Sequence, residues 1–182
     1  MRTRAPSLLR SLLLVLLLAG CAESRPTPVS MAPPPVPPAP PAVVLIPPTP
    51  QGFVYCVPYA REVTGIELFG DAWTWWQAAA DSYGRGSTPA AGAILVFQRT
   101  ERLQSGHVSV VTEVVSAREI RVTHANWGYA GKARGQVDRD VPVIDVSPNN
   151  DWSEVRVWNG GSYGRMYPAY GFVYPGGAGQ AI

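Results

Sequence analysis

Cysteine and histidine are scarce in this chain, with two of each among 182 residues. A disulfide framework is therefore excluded as the organising principle. Neither Cys-x-x-Cys nor His-x-x-x-His spacing occurs, so no metal site and no cofactor is expected. Lysine and arginine form no run. Of the 15 basic residues, Arg2, Arg4 and Arg10 lie in the first ten positions, and the remaining 12 face 13 acidic residues. So nearly neutral a chain lacks the basic footprint that nucleic-acid binding requires. A phosphate cradle is also missing: the glycine-rich stretch Asn159 to Gly164 lacks a Lys-Ser/Thr ending and reads as a turn. There is no internal repeat. The longest aliphatic run, Leu12 to Leu18, is too short for a permanent membrane span.

That run has another use. With the arginines before it, it makes residues 1–20 read as an export signal. It ends in Leu18-Ala19-Gly20-Cys21, which resembles the bacterial lipobox. The resemblance implies that Cys21 is lipidated and becomes the new N-terminus, the alternative being an ordinary secretory signal with a cysteine nearby. Ala22, which is not acidic, implies by likeness to bacterial lipoproteins an outer-membrane anchor facing the periplasm, hence a place in the cell envelope. Residues 21–50 then form a lipidated, proline-rich tether. Twelve of the 19 prolines fall between Pro26 and Pro50, and such a segment favours extended polyproline II. At ~3.1 Å per residue it reaches roughly 80 Å. A single domain is expected over 51–175, with 176–182 as a disordered tail.

Inside the domain, helices precede strands. Cys56 to Thr64 predicts a short helix closed by Gly65, and Asp71 to Tyr83 a second helix with Asp71 as N-cap, stopped by Gly84 and Gly86. Of the three tryptophans there, Trp73 and Trp76 would share a helix face and Trp75 point elsewhere, with at least one packed in the core. Ala93 to Gln98 predicts a strand, and Val108 to Val115 with Ile120 to Trp127 a hairpin. Val141 to Val146, Val155 to Trp158 and Gly171 to Tyr174 predict further strands. This order indicates an α+β domain with an antiparallel sheet.

If Cys21 carries lipid, Cys56 has no intramolecular partner in a compartment where thiols oxidise. It is then either a buried, inert residue or a used one. Its position at a helix start, with His107 at a strand start, suits a nucleophile and base facing each other across a cleft. A helix N-terminus and a neighbouring imidazolium both favour the thiolate. The backbone N–H of Cys56 is a natural oxyanion donor, with Tyr55 or Gln51 as a candidate second. His124 and Asn126 share one strand face, so both can approach His107. In a hairpin they meet it only if opposed residue numbers have an odd sum. A four-residue connection places His107 opposite Asn126 and Ser109 opposite His124; a two-residue connection slides each pair by two. Trp127 is a candidate cleft wall for stacking on sugar or peptide.

The segments Tyr55-Cys56-Val57-Pro58-Tyr59-Ala60-Arg61, Gly70-Asp71-Ala72-Trp73, Pro89 to Phe97, Ser105-Gly106-His107-Val108-Ser109 and His124-Ala125-Asn126-Trp127 occur in this order. Together they resemble the CHAP family of cysteine- and histidine-dependent amidohydrolases and peptidases. The resemblance implies a papain-like, NlpC-type α+β fold with N-terminal helices packed on an antiparallel sheet. It implies peptidoglycan as partner and substrate, cut at the amide joining N-acetylmuramate to L-alanine or within a stem or cross-bridge peptide. Cys56 carries over as nucleophile and His107 as general base. Many relatives have Glu-x-Asn where this chain has His124-Ala125-Asn126, so either His124 or Asn126 is left as the residue orienting the base. The alternative is a catalytically silent wall-binding or scaffolding lipoprotein of the same fold. A protein activator is compatible with either and leaves no mark in the sequence.

Overall fold

The computed structural model describes residues 50–129 and 131–176. The expected export signal, lipidated Cys21, all of the tether but Pro50 and all of the tail but Gly176 lie outside the described residues. Helix α1 spans Cys56–Thr64 and ends as expected. Gly65 adopts a left-handed φ of 71°, and its N–H donates to the Arg61 carbonyl at 2.8 Å. Tyr55 occupies the N-cap position in extended conformation with no side-chain cap bond. Tyr59 and Ala60 are the buried residues of α1.

The second helix is much shorter than expected. A 3-10 turn at Ala72–Thr74 leads into α2, Trp75–Ala78, and turns follow to Tyr83. Asp71 stands at the N-cap position of the 3-10 turn without a side-chain cap bond; instead the Thr74 hydroxyl donates to the Asp71 carbonyl at 2.7 Å. A single helical turn has too few hydrogen bonds to stand alone, so tertiary packing holds it. Trp75 is wholly buried, and Trp76 stacks on Tyr170 with ring centres 6.0 Å apart.

The strands are β1 (Gly84–Gly86), β2 (Ile94–Phe97), β3 (His107–Ser116), β4 (Glu119–Ala125), β5 (Val137–Asp145), β6 (Glu154–Trp158) and β7 (Tyr163–Tyr174). Every pairing is antiparallel, in the order β1-β7-β2-β3-β4-β5-β6. A further β6–β7 pairing closes β2 to β7 into a six-stranded barrel with β1 beside one end of β7. Together with the helices this makes a mixed, broadly α+β domain. Closure removes the free edges that open sheets must protect.

Side-chain alternation divides the apolar residues into two cores. Leu95 and Phe97 of β2 point inward with Val111, Ile120, Val122, Val143, Trp152 and Phe172. Ile94 and Val96 point outward with Val108, Val110 and Val173, and are covered by Ala60, Ile66, Leu68 and Trp75. All four β2 residues are fully buried, and each is worth roughly 1.5–3 kcal/mol.

The β3–β4 hairpin reaches the anticipated register by an unanticipated route. Its connection is the two residues Ala117-Arg118, and Ser116 pairs with Glu119. Two irregularities follow, between Val114 and Ser116 and between Val111 and Glu113. Each shifts the pairing by one, so Val110 meets Thr123. Continued by one step, that register sets Ser109 beside His124, the pairing expected of a four-residue connection. The second bulge cancels the phase change made by the first, so both histidines stay on one face while each pair slides by two.

Candidate active site

Cys56 is the first residue of α1, on the outer side of the barrel wall, and His107 is the first residue of β3. Both line one cleft of about 550 Å³, together with Tyr55, Asp71, Asn126 and Arg134. The loop before β3 is held close. Gly106 has φ +67°, and a side chain there would meet the backbone N of Trp73 at 2.6 Å. The Trp73 N–H donates to the Ser105 carbonyl at 3.2 Å. Glycine thus lets the 3-10 turn lie against the start of β3.

His107 is buried, with Phe97 and Trp127 packed on its ring at centroid distances of 5.5 and 4.8 Å. Its Nε2 lies 3.0 Å from Nδ1 of His124, and the same His124 nitrogen lies 3.1 Å from the Ser109 hydroxyl. Trp127 stacks on His124 at 5.5 Å with a 22° tilt. With Nε2 of His107 engaged, Nδ1 is the ring nitrogen left for proton exchange.

Burial decides the charge states. It pushes His107 well below the ordinary imidazole range, reinforced by His124 and then by Arg134. It pushes His124 to about 3, with Lys132 adding to the effect. Burial also raises the Cys56 thiol, against backbone hydrogen bonds at Val108, Val57 and its own position that act to lower it. These directions favour a neutral thiol and neutral imidazoles at rest over the expected thiolate beside an imidazolium. Desolvation outweighs the helix start because the thiol packs beneath the wall strands.

The remaining expected site residues separate. Asn126 lines the cleft, but its side-chain oxygen accepts the Gly135 N–H at 3.0 Å, and its own N–H donates to Gln136 at 2.9 Å. The Gly135 carbonyl in turn accepts the Val54 N–H at 3.0 Å. Asn126 thus anchors the segment leading into α1, and the ring that contacts His107 belongs to His124. Tyr55 is exposed at the cleft beside Phe53, with ring centres 4.9 Å apart. Gln51 is exposed and is not among the cleft-lining residues. Trp127 is not a cleft wall either. It is buried in the barrel against both histidines, and its indole N–H donates to Asn159 at 3.2 Å. The expectation failed because Trp127 follows the left-handed Asn126, φ 65°, which breaks strand alternation.

Sequence reasoning placed Ser109 opposite His124 without assigning it a task, and the hairpin register was the signal for one. Arg134 was missed; it comes from a loop with no periodicity to place it.

Residues 48–126 match the CHAP domain. No curated protein matches the chain. The match covers α1, the 3-10 turn, α2 and β1 to β4 among the described elements and stops at Asn126, before β5. CHAP domains are in general hydrolases of amidase or peptidase type, and the match points to peptidoglycan as substrate class.

Proposed function

We propose, for a chain that carries a CHAP domain, that Cys56 and His107 hydrolyse an amide bond of peptidoglycan through a thioester intermediate. One observation carries this reading: the only described cysteine lies at a helix start in the same cleft as a histidine whose far nitrogen is engaged by a second histidine. The papain-like kinship belongs to the same proposal.

Because both partners rest neutral, proton transfer accompanies attack rather than preceding it. Nδ1 of His107 takes the thiol proton as sulfur bonds to the carbonyl carbon. In this reading the backbone N–H of Cys56, at the start of α1, donates to the oxyanion. His107 then gives its proton to the leaving amine nitrogen as the C–N bond breaks. Water, deprotonated by the same nitrogen, attacks the thioester and returns the thiol. Arg134 and Asp71, of opposite charge, are among the charged groups of the cleft, with Glu101 and Arg102, that can orient the substrate's polar ends.

The lipid anchor at Cys21 and a periplasm-facing position complete the proposal, and both rest on the sequence of the leader alone. Digestion of purified peptidoglycan, with mass analysis of the fragments, tests the activity. Release of intact stem peptides means an amidase, and shortened stems mean an endopeptidase. No fragment of either kind from the native protein would refute hydrolysis.

A further inference from the structure

His124 has two ring nitrogens, and the candidate site uses one. Nδ1 meets His107 and Ser109, while Nε2 is buried without a hydrogen-bond partner in a residue only 1% exposed. His124 also lines a second pocket of about 170 Å³, together with Tyr129, Lys132, Asp138 and Trp158 among others. Asp138 is the direct cross-strand partner of His124. Opposed residues share a sheet face with Cβ atoms about 4.5–5.5 Å apart, so the carboxylate and the imidazole lie on the same side. Asp138 is buried and ion-paired with Lys132. A carboxylate has capacity for several donors.

The partner of Nε2 decides what His107 can do. If His124 carries its proton on Nε2, its Nδ1 accepts from His107 Nε2–H, and His107 Nδ1 is left bare as a base. If His124 carries its proton on Nδ1, it donates to His107, whose own proton then sits on Nδ1 and blocks the thiol.

We infer that Asp138 is a positioning residue that holds the proton of His124 on Nε2 through one water in the second pocket, and so makes His107 a base. The inference rests on the Cys56–His107 reading above. It extends that site beyond the matched family region, which ends at Asn126. The pocket is large enough for a water, whose share of liquid volume is about 30 Å³.

NMR of isotope-labelled histidine ring nitrogens in the native protein near neutral pH reads the tautomer without any substrate. The expected result is His124 protonated on Nε2. Protonation on Nδ1 overturns the inference outright, whatever any variant does. In Asp138→Ala the Nε2-protonated form should lose its dominance, and alkylation of Cys56 by iodoacetamide should slow about tenfold or more. Asp138→Asn keeps an acceptor and should restore both to within about threefold of the native protein. An unchanged tautomer and alkylation rate in a folded Asp138→Ala would refute the role. Failure of the native protein to cut peptidoglycan while the tautomer and alkylation results hold would sink the hydrolase proposal alone.

Discussion

Lowering the pH from 7 to 5 should destabilise this domain by about 2 kcal/mol through His124 alone. The ring's ordinary value of 6.5 falls to about 3 in the folded protein, because burial penalises the charged form and Lys132 repels it. A depressed value makes the folded state the poorer proton binder. Below about pH 6.5 the unfolded chain takes up a proton that the folded chain refuses, so stability is full above that point and is lost progressively towards pH 3. At pH 5 the gap is about 1.5 pH units, at about 1.36 kcal/mol each. His107, shifted in the same direction, adds to the loss. Asp151, held below its ordinary carboxyl value chiefly by the Ser153 hydroxyl, titrates below this window. Urea unfolding at pH 7, 6 and 5 measures the slope, and His124→Gln should flatten it by His124's share. A stability that stays constant between pH 7 and 5 would mean that His124 is solvated or already charged when folded, and the electrostatic account of the site would fail.

Cys56→Ala should leave the fold intact and lower peptidoglycan turnover by about 10⁴–10⁶; turnover at the native rate would dismiss the covalent mechanism. His124→Ala should cost at least about 10² in turnover, whereas Asn126→Ala should cost about 1 kcal/mol of stability and much less turnover per folded molecule. The reverse ranking, measured on fractions matched for folding, would show that Asn126 orients the base. Gly106→Ala forces a side chain into a left-handed conformation and against the Trp73 backbone. It should lower stability by about 2 kcal/mol or more, and an unaltered melting temperature would show that the 3-10 turn is not fixed there.

Local chemistry made α1, β2 and the β3–β4 hairpin legible in the sequence: a glycine stop, an apolar run and β-branched alternation. β1 was not legible, because Gly84-Arg85-Gly86 looks like a helix stop and forms a strand only by pairing with β7. The second helix was overextended because alanines have high helix propensity, whereas the packing of Trp75 and Trp76 sets its length. Only the end of β7, from Gly171, was visible. Its first half contains Pro168, which lacks a ladder donor yet pairs with Glu154 in the strand. The nucleophile and base candidates followed from residue scarcity. That His124 rather than Asn126 contacts His107 did not, because it depends on two bulges and one left-handed residue. Asp138 was out of reach for the same reason: its pairing with His124 comes after another irregularity in the β4–β5 register.

The last strand has a consequence for when the protein can fold. β7 pairs with β1, β2 and β6, so its twelve residues complete contacts reaching back to the start of the sheet. Until Tyr174 has left the ribosome, β2 lacks a neighbour on one side and the barrel stays open. Structures dominated by such distant pairings form slowly, because the chain must close long loops before any contact rewards it. The barrel of a nascent chain therefore closes only once this last strand is available to pair with β2 and β6.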